Sequence, residues 1–209
     1  MSQGLFLTFE GPDGGGKTTQ ITRLAERLTV QGYTVTRTRE PGGDLVGEKV
    51  RDLLLHGAVS PEAELLLFAA ARAQNVEAVV RPALEAGHVV LCDRFTDSTI
   101  AYQGYGRGLP LDLIARLNAF ATRGLMPDKT FLLDLPPATG LSRQRASEQD
   151  RLDRETLDFH QRVRSGFLET VKADPDRIAV LDASRPALDI ADRLWAILEP
   201  LLPPLTTVS

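Results

Sequence analysis

A glycine-rich segment that ends in lysine and threonine has the residue types needed to hold phosphate. Residues 11–18 fit the pattern G-x-x-x-x-G-K-[ST] at every fixed position. The glycines allow the backbone to turn tightly and to present successive N–H groups to phosphate oxygens. Lys17 can place a charge on the β- and γ-phosphates, and the Thr18 hydroxyl can coordinate magnesium. The predicted triphosphate-binding residues are Gly11, Pro12, Asp13, Gly14, Gly15, Gly16, Lys17, Thr18 and Thr19.

The elements on either side of this segment are those that its chemistry requires. Residues 5–9 are an apolar run that predicts a buried strand, and residues 17–30 have apolar side chains at helical spacing. The N-terminus of that helix would add its positive dipole end to the phosphate site. The alternative is a glycine-rich turn that carries Lys-Thr without binding phosphate. The strand–loop–helix context argues against it.

Strand and helix patterns alternate along the rest of the chain. The predicted strands are residues 5–9, 33–38, 88–92, 130–135 and 176–181. The predicted helices are about residues 17–30, 44–55, 61–86, 112–122, 155–173 and 187–198. This alternation favours an α/β fold of three layers, in which helices cover both faces of a five-stranded parallel sheet. We expect one domain over residues 1–200, with a small lid at about 141–155, and a short frayed tail at 201–209.

The composition is that of an ordinary globular protein. The chain has 209 residues, of which 43% are hydrophobic and 25% are charged. Its net charge of −4 argues against an extended nucleic-acid groove, so we expect no nucleic-acid partner. No apolar run approaches membrane-spanning length and no signal peptide is recognisable, which predicts a cytoplasmic protein without a membrane partner. The single cysteine, Cys92, ends an apolar run and is expected to be a small buried residue.

Charged residues follow the second and third predicted strands. Arg39 and Glu40 follow the second strand, and Asp93 and Arg94 follow the third. Ligands bind at this edge in open α/β sheets, although a solvated loop is the alternative for the first pair. Asp93 can hold magnesium through water, and Arg94 can fork onto a phosphate.

Arginine residues also crowd the segment that follows the fourth strand. They occupy positions 143, 145 and 151 and are interleaved with acidic residues. A run of charges is usually a solvated face. At the ligand-binding edge it can also be a mobile cover that places arginines on a phosphoryl group.

Three classes of protein use such a phosphate loop: switch GTPases, mechanical or helicase-type ATPases, and small-molecule kinases. The sequence lacks the Asn-Lys-x-Asp motif that reads guanine, and a motor usually needs a longer chain. A kinase needs a second pocket, with arginines for phosphate and a surface for a flat base. Phe68 and Arg72 share a helix face, but their spacing alone favours a core phenylalanine beside a surface arginine. The candidates for the second pocket are Arg39, Arg72, Arg94, Phe68, Tyr102 and Gln103.

These segments, taken in order, give the chain a family resemblance. To about residue 200 it resembles the bacterial thymidylate kinases, which transfer the γ-phosphoryl group of ATP to dTMP and give dTDP and ADP. The resemblance implies a kinase that uses Mg²⁺ with ATP and forms a homodimer packed through helices. The matching segments are residues 9–19 (FEGPDGGGKTT), 38–43 (TREPGG), 68–72 (FAAAR), 93–95 (DRF), 98–104 (STIAYQG) and 150–151 (DR).

The resemblance also implies roles for individual residues. Phe68 would stack on the thymine ring, and Arg72 would hydrogen-bond its O4 carbonyl. Tyr102 would stand where a ribose 2′-hydroxyl would clash. Arg94 and Arg39 would hold the dTMP phosphate, Asp13 would meet the sugar 3′-hydroxyl, and Thr99 and Gln103 would lie near the other polar edge of the base. The residues expected to bind dTMP are Asp13, Arg39, Phe68, Arg72, Arg94, Ser98, Thr99, Tyr102 and Gln103.

Glycine at position 15 indicates the type of thymidylate kinase that supplies its arginines from the lid. The resemblance leaves open which lid arginine reaches the phosphates. Position after the fifth strand and resemblance together suggest Arg185 for the ATP site. The predicted metal ligands are Thr18, from the phosphate-loop motif, and Asp93, from its place after the third strand. The predicted catalytic residues are Lys17, Asp13, Arg94, Arg39, Arg143 and Arg151. The alternatives are a kinase for another pyrimidine nucleotide or a deoxynucleoside, and a regulatory nucleotide-binding module without turnover.

Overall fold

A single parallel sheet organises the chain. The computed structural model describes residues 4–143 and 150–205. Its strands are β1 (Leu5–Glu10), β2 (Val35–Arg39), β3 (Val89–Asp93), β4 (Lys129–Asp134) and β5 (Ile178–Asp182). They pair in parallel in the order β2-β3-β1-β4-β5. The predicted α/β fold with five parallel strands is confirmed, and the structure adds the strand order.

Helices cover both faces of this sheet. They are α1 (Lys17–Val30), α2 (Leu45–His56), α3 (Pro61–Asn75), α4 (Arg81–Glu85), α5 (Thr96–Thr99), α6 (Leu111–Thr122), α7 (Pro137–Arg143), α8 (Leu157–Ala173) and α9 (Ala187–Leu198). The predicted helix at 61–86 is one helical path in which a π-helical turn at Val76–Val80 joins α3 to α4. A second π-helical turn, Ile100–Gly106, continues α5. In the described parts of the chain, we find no helix with the length and apolar character needed to cross a membrane.

The central strand carries the core and leads into the phosphate loop. All six residues of β1 are buried, because β3 and β4 flank it and helices cover both faces. This explains why apolar residues occupy both faces of β1, as the consecutive Leu5, Phe6 and Leu7 show, instead of alternating with exposed polar ones. In the register, Phe9 lies beside Asp93, so β1 and β3 end together at one edge. The sheet therefore brings the loop after β1 next to the residues that follow β3.

The start of β2 and the C-terminal tail differ from the sequence-based predictions. β2 begins two residues later than predicted, at Val35, and the Tyr33 hydroxyl donates instead to the Pro203 carbonyl oxygen at 3.0 Å. Leu202 packs against the core formed by α1 and α9. Contrary to the expectation of a frayed tail, the chain is docked as far as Pro203. Residues 206–209 lie outside the described residues.

Cys92 lies in the core below the end of β3. It packs with Phe6 and Val90, and its Sγ donates to the Arg94 carbonyl oxygen at 3.0 Å. Burial raises the pKa of the thiol well above its usual value. The prediction of a small buried residue is confirmed.

The segment predicted as a lid begins in α7 and ends before α8. Arg143 is the last residue of α7, and Arg151 lies in a turn before α8, which begins at Leu157, two residues later than predicted. Residues 144–149, which include Arg145, lie outside the described residues.

Candidate active site

The loop between β1 and α1 is held open by glycine conformations. Gly11, Gly14 and Gly16 have φ values of 126°, 74° and 86°, which side chains strongly disfavour. Gly16 is the N-cap of α1 and supplies no side-chain hydrogen bond. The first N–H groups of α1 are therefore available to an anion.

Two glycines bring helix α7 against this loop. A Cβ atom on Gly14 would lie 2.2 Å from the Gly140 carbonyl oxygen, and one on Gly140 would lie 2.5 Å from the Asp13 carbonyl oxygen. This close backbone approach places Arg143, at the end of α7, over the loop. Its Nη1 donates to the Ala183 carbonyl oxygen at 3.1 Å and to that of Gly14 at 3.4 Å.

Lys17 lies inside the loop with its ammonium group held by backbone oxygens. Its Nζ donates to the carbonyl oxygens of Gly11 and Pro12, both at 3.0 Å, and lies 3.7 Å from Asp13 Oδ1. Burial and the nearby Arg94 charge lower the pKa of Lys17. These weak partners can be exchanged for phosphate oxygens, which bind an ammonium group more strongly.

Asp13, Arg94 and Tyr102 form a partly buried polar cluster beside Lys17. Arg94 Nη2 donates to Asp13 Oδ1 at 2.7 Å, and the Tyr102 hydroxyl donates to Asp13 Oδ2 at 3.0 Å. Burial favours the neutral form of Asp13, but the charges of Arg94 and Lys17 outweigh it and hold the pKa of the carboxyl well below its usual range. An ionised Asp13 therefore fixes the Arg94 guanidinium at the end of β3.

Glu10 supports the turn that carries Arg94. Arg94 has a left-handed backbone, with φ 69°, and Glu10 accepts hydrogen bonds from the Phe95 N–H at 2.7 Å and from the Ser98 hydroxyl at 2.5 Å. Ser98 Oγ in turn accepts from Arg94 Nη1 at 3.1 Å. Burial and the nearby Asp97 charge raise the pKa of Glu10 to about 8. The sequence reasoning did not single out Glu10, although a carboxylate at the end of a buried strand was a signal.

Thr18 and Asp93 fit the requirements of a magnesium site. Thr18 Oγ1 lies 3.3 Å from Asp93 Oδ2, at the edge where β1 and β3 end. Among the residues described, there is no group of three or more His, Cys, Asp or Glu side chains that could hold a metal. Mg²⁺ does not need one, because it usually keeps several waters and binds through one or two carboxylates plus substrate phosphates.

A cavity of about 950 Å³ joins the phosphate loop to the ends of β2 and β3. The predicted residues that it brings together are Asp13, Gly14, Gly16, Lys17, Thr18, Thr19, Arg39, Asp93, Arg94 and Arg143. Arg39 is half-exposed and forms two hydrogen bonds with Glu48, at 2.9 and 3.0 Å. Arg185 is paired with Asp189 at 3.4 Å and does not line this cavity.

A second, narrower pocket of about 80 Å³ adjoins this cavity. The predicted residues that line it are Asp13, Phe68, Arg72, Arg94, Ser98, Thr99, Tyr102 and Gln103. Asp150 and Leu152 line it from the turn before α8. Asp13 and Arg94 line both spaces, so they stand where the two spaces meet.

Arg51 is a residue of this site that the sequence reasoning missed. It lies on α2, lines both the large cavity and the narrow pocket, and its Nη1 donates to the Pro41 carbonyl oxygen at 3.0 Å. Burial and the charge of Arg39 lower the pKa of Arg51. Its only signal in the sequence was an arginine three residues after Glu48 on the same helix.

The structure places Arg72 in the core of the narrow pocket and not on the surface. The side chain is 1% exposed, and Nε donates to Glu40 Oε2 at 2.7 Å. Three further N–H groups donate to Thr99, Asn118 and the Phe95 carbonyl oxygen. The prediction from spacing alone, that Arg72 lies on the surface, is therefore wrong. One N–H on Nη2 has no partner among residues 4–143 and 150–205.

Arg143 and Arg151 occupy different places. Arg143 lines the large cavity, whereas Arg151 Nε donates to the Leu54 carbonyl oxygen at 3.0 Å and its Nη2 to Glu64 Oε2 at 2.5 Å. Arg151 lines neither the cavity nor the narrow pocket. Of the two lid arginines predicted to be catalytic, the structure thus brings Arg143 to the phosphate loop and not Arg151.

Comparisons with known proteins agree on one family. The thymidylate kinase family model matches residues 9–194. A thymidylate kinase of Deinococcus radiodurans is 54% identical over 94% of this chain and 97% of its own, and one of Synechococcus sp. (strain JA-2-3B'a(2-13)) is 54% identical over 95% and 96%. The crystal structure of thymidylate kinase from Ehrlichia chaffeensis superposes with a TM-score of 0.78, at 37% identity, over 94% of this chain and 99% of that one. The chain therefore belongs to the thymidylate kinase family.

Proposed function

We propose that this protein transfers the γ-phosphoryl group of ATP to dTMP, giving dTDP and ADP. One observation carries the proposal beyond family membership. Asp13 and Arg94 line both the large cavity at the phosphate loop and the narrow pocket beside it. A donor phosphate in the loop and an acceptor phosphate at Arg94 would therefore meet at one point, as in-line transfer requires.

The donor side would hold the triphosphate and its metal. Residues Gly11 to Thr19 would bind the phosphates, through the backbone N–H groups of the loop and the ammonium group of Lys17. Mg²⁺ would be held by Thr18 directly and by Asp93 through water, and would neutralise charge on the phosphates when bound. Arg143 would release its backbone carbonyl partners and stabilise the transferring group, while Arg185 remains the candidate for the adenine end.

The acceptor side would hold dTMP between the cavity and the narrow pocket. Arg94 and Arg39 would bind its phosphate, and we add Arg51, because it lines both spaces. Phe68 would stack on thymine, and the remaining N–H of Arg72 would donate to O4. The residues proposed to surround the sugar and the other base edge are Asp13, Ser98, Thr99, Tyr102 and Gln103.

The chemistry needs charge stabilisation and alignment more than proton transfer. The transition state of phosphoryl transfer is loose, with charge spread over the equatorial oxygens of the moving group. Lys17 and Arg143 would face those oxygens from the loop and from α7. The dTMP phosphate has a second pKa of roughly 6, so its attacking oxygen is already mostly ionised at neutral pH. No side chain is required as a general base.

The first experiment measures ADP release from Mg-ATP with dTMP, dUMP, UMP, dCMP, AMP and thymidine offered separately. We expect fast turnover of dTMP, slower turnover of dUMP and negligible turnover of the others. A preference for thymidine would contradict Arg39, Arg51 and Arg94 as ligands of an acceptor phosphate. Tight ATP binding without any turnover would place the protein among regulatory nucleotide-binding modules.

We also propose a homodimer formed through α3 and α6, which pack against each other. Leu66 on α3 and Leu113 and Phe120 on α6 are exposed, Phe120 by 83%. Leu113 and Phe120 are seven residues apart and therefore share a helix face. Phe120→Glu should give a monomer by light scattering, whereas Val30→Glu, at an equally exposed position on α1, should not. A dimeric F120E variant would contradict this interface.

The location in the cytoplasm stays a prediction from the sequence. Fractionation of cells that express the tagged full chain tests it. Recovery of the protein in the membrane fraction would contradict the prediction.

A further inference from the structure

Glu64 is a buried carboxylate to which the transfer reaction described above gives no role. It lies in the first turn of α3, is fully buried, and does not line the narrow pocket. Its oxygens accept hydrogen bonds from Gln103 Nε2 at 2.8 Å, from two nitrogens of Arg107 at 3.1 and 3.2 Å, and from Arg151 Nη2 at 2.5 Å. One side chain thus joins three segments that are distant in the sequence.

The protonation state of Glu64 decides the orientation of the Gln103 amide. Burial opposes ionisation, but the hydrogen bonds from Arg107, Gln103 and Arg151 outweigh it and hold the pKa of Glu64 below its usual range. An ionised carboxylate only accepts hydrogen bonds, so the group that faces it must be the NH₂ of the amide. Gln103 Oε1 is thereby turned away from Glu64.

The opposite end of the Gln103 amide is the part that a ligand can meet. Gln103 lines the narrow pocket, and within residues 4–143 and 150–205 its Oε1 accepts no hydrogen bond. The pocket therefore carries a hydrogen-bond acceptor at a fixed place. A pyrimidine ring nitrogen that bears a hydrogen can pair with it. A ring nitrogen with a lone pair would face another acceptor and be repelled.

We propose that Glu64 is a positioning residue for base specificity, which it sets by fixing the amide orientation of Gln103. The inference rests on the proposed function, since it assumes that the narrow pocket holds the base. Thymine and uracil carry a hydrogen on N3 and are accepted, whereas cytosine has a lone pair there and is rejected. A site built on a fixed hydrogen bond discriminates strongly because a mismatch leaves polar groups unpaired.

Glu64 also fastens the turn that closes the same pocket. The Arg151 side chain bridges Glu64 and the Leu54 carbonyl oxygen, and its amide N–H donates to the Leu55 carbonyl oxygen. The neighbours Asp150 and Leu152 line the pocket. Loss of the Glu64 charge should therefore weaken binding of any pyrimidine nucleotide, in addition to reducing selectivity.

The test compares Glu64→Gln with Glu62→Gln, a matched control at an exposed position in the same helical turn. kcat/KM is measured for dTMP and dCMP, and binding of both nucleotides is measured by calorimetry. For E64Q we expect the dTMP-to-dCMP ratio to fall by about tenfold or more, because a neutral partner lets the Gln103 amide turn over. The KM for ATP should stay within about twofold. E62Q should match the wild type.

A double variant shows whether Glu64 acts through Gln103. Gln103→Ala should lower the dTMP-to-dCMP ratio by itself, and adding E64Q should lower that ratio no further. The added E64Q change should still weaken binding of both nucleotides, because it loosens the turn held by Arg151. Glu64→Asp keeps the negative charge but shortens the side chain by one methylene, so it should lower the ratio less than E64Q does. If E64Q does not fold, Glu64→Asp takes its place in the test. An unchanged ratio in the folded Glu64 variants, or an equal fall in the Q103A background, would overturn the proposal. Wild-type protein that binds dTMP without turnover would contradict the proposed function, and the binding ratios would still decide the role of Glu64.

Discussion

The two halves of the site are built in opposite ways. The phosphate side is a cavity of about 950 Å³, and its Arg39 side chain is 53% exposed and paired with an exposed glutamate. Within residues 4–143 and 150–205, the hydrogen bonds that Arg143 donates go to the backbone carbonyl oxygens of Gly14 and Ala183. The nucleoside side is a pocket of about 80 Å³, in which Arg72 is 1% exposed and has four of its N–H groups committed to protein partners.

This difference matches what each half has to recognise. A base is a rigid shape with a fixed pattern of donors and acceptors, so buried hydrogen bonds that hold the pocket in advance reduce the entropy lost on binding. The phosphate side has to close on its nucleotides after they enter, and cations whose partners are exposed or are backbone carbonyl oxygens can exchange them for phosphate oxygens at that step. We therefore expect changes on the phosphate side to lower kcat, and changes on the nucleoside side to affect KM and selectivity.

The largest expected effect is that of Lys17→Ala, on the phosphate side. Removing the ammonium group inside the loop should lower kcat on the order of 10⁴-fold, because the charge on the transferring group loses its nearest cation. The Kd for dTMP should change by only about twofold. Steady-state kinetics and calorimetry together check this. A large loss of dTMP affinity with little change in kcat would contradict the assignment of kcat effects to the phosphate side.

The next effect separates Arg143 from Arg151. Arg143→Ala should lower kcat on the order of 10³-fold, as expected for an arginine that stabilises the transferring group. Arg151→Ala should leave kcat within a few-fold and raise the KM for dTMP roughly tenfold, because it loosens the turn over the nucleoside pocket. Initial rates over a range of dTMP concentrations distinguish the two patterns. The opposite assignment would follow if R151A were the variant with the collapsed kcat.

Glu10 supports the turn that carries Arg94, which lines both halves, and its effect is on stability. Its pKa is about 8 in the folded chain, above the usual 4.5, so between these pH values the unfolded chain releases a proton that the folded chain keeps. The contribution of Glu10 to the free energy of unfolding therefore falls as pH rises through this window, by up to about 1.4 kcal/mol per pH unit. Glu10→Gln should flatten that fall, whereas Glu26→Gln, exposed on α1, should not. Urea unfolding at pH 5, 6, 7 and 8 checks this, and equal slopes in wild type and E10Q would contradict it.

The smallest effect is that of Tyr102→Phe, on the nucleoside side. The hydroxyl group bridges Asp13 and Arg94, and its loss should cost about 1 kcal/mol, or roughly fivefold in kcat/KM for dTMP. Discrimination against UMP should stay within about twofold, because the aromatic ring that would meet a ribose 2′-hydroxyl remains. A collapse of that discrimination would assign it to the hydroxyl group and not to the ring.

The fold and the phosphate side were predictable because their signals are local. The loop motif, the strand before it and the helix after it lie within residues 5–30, and the conformations of Gly11, Gly14 and Gly16 follow from their residue type. Asp93 and Arg94 were predictable because the carboxyl ends of parallel strands share one edge of a sheet.

The nucleoside side was less predictable because its partners are far apart in the sequence. Arg72 is buried only because Glu40, Thr99 and Asn118 satisfy its N–H groups, and helical spacing carries no information about them. The family resemblance supplied a role for Arg72 but none for Arg51 or Glu64. The positions of those two residues in the site become apparent only when the fold brings α2, α3 and the turn before α8 together.

Because Cys92 is buried, the reactivity of its thiol reports the local stability of the folded chain. It is the one thiol in the sequence, it is completely inaccessible, and it immediately precedes Asp93 and Arg94. A thiol-reactive dye can label it only when the end of β3 opens, so the labelling rate measures the free energy of that opening under native conditions. A nucleotide that binds only the closed site slows labelling in proportion to its occupancy. Ligand affinity can thus be measured without turnover and without an added probe.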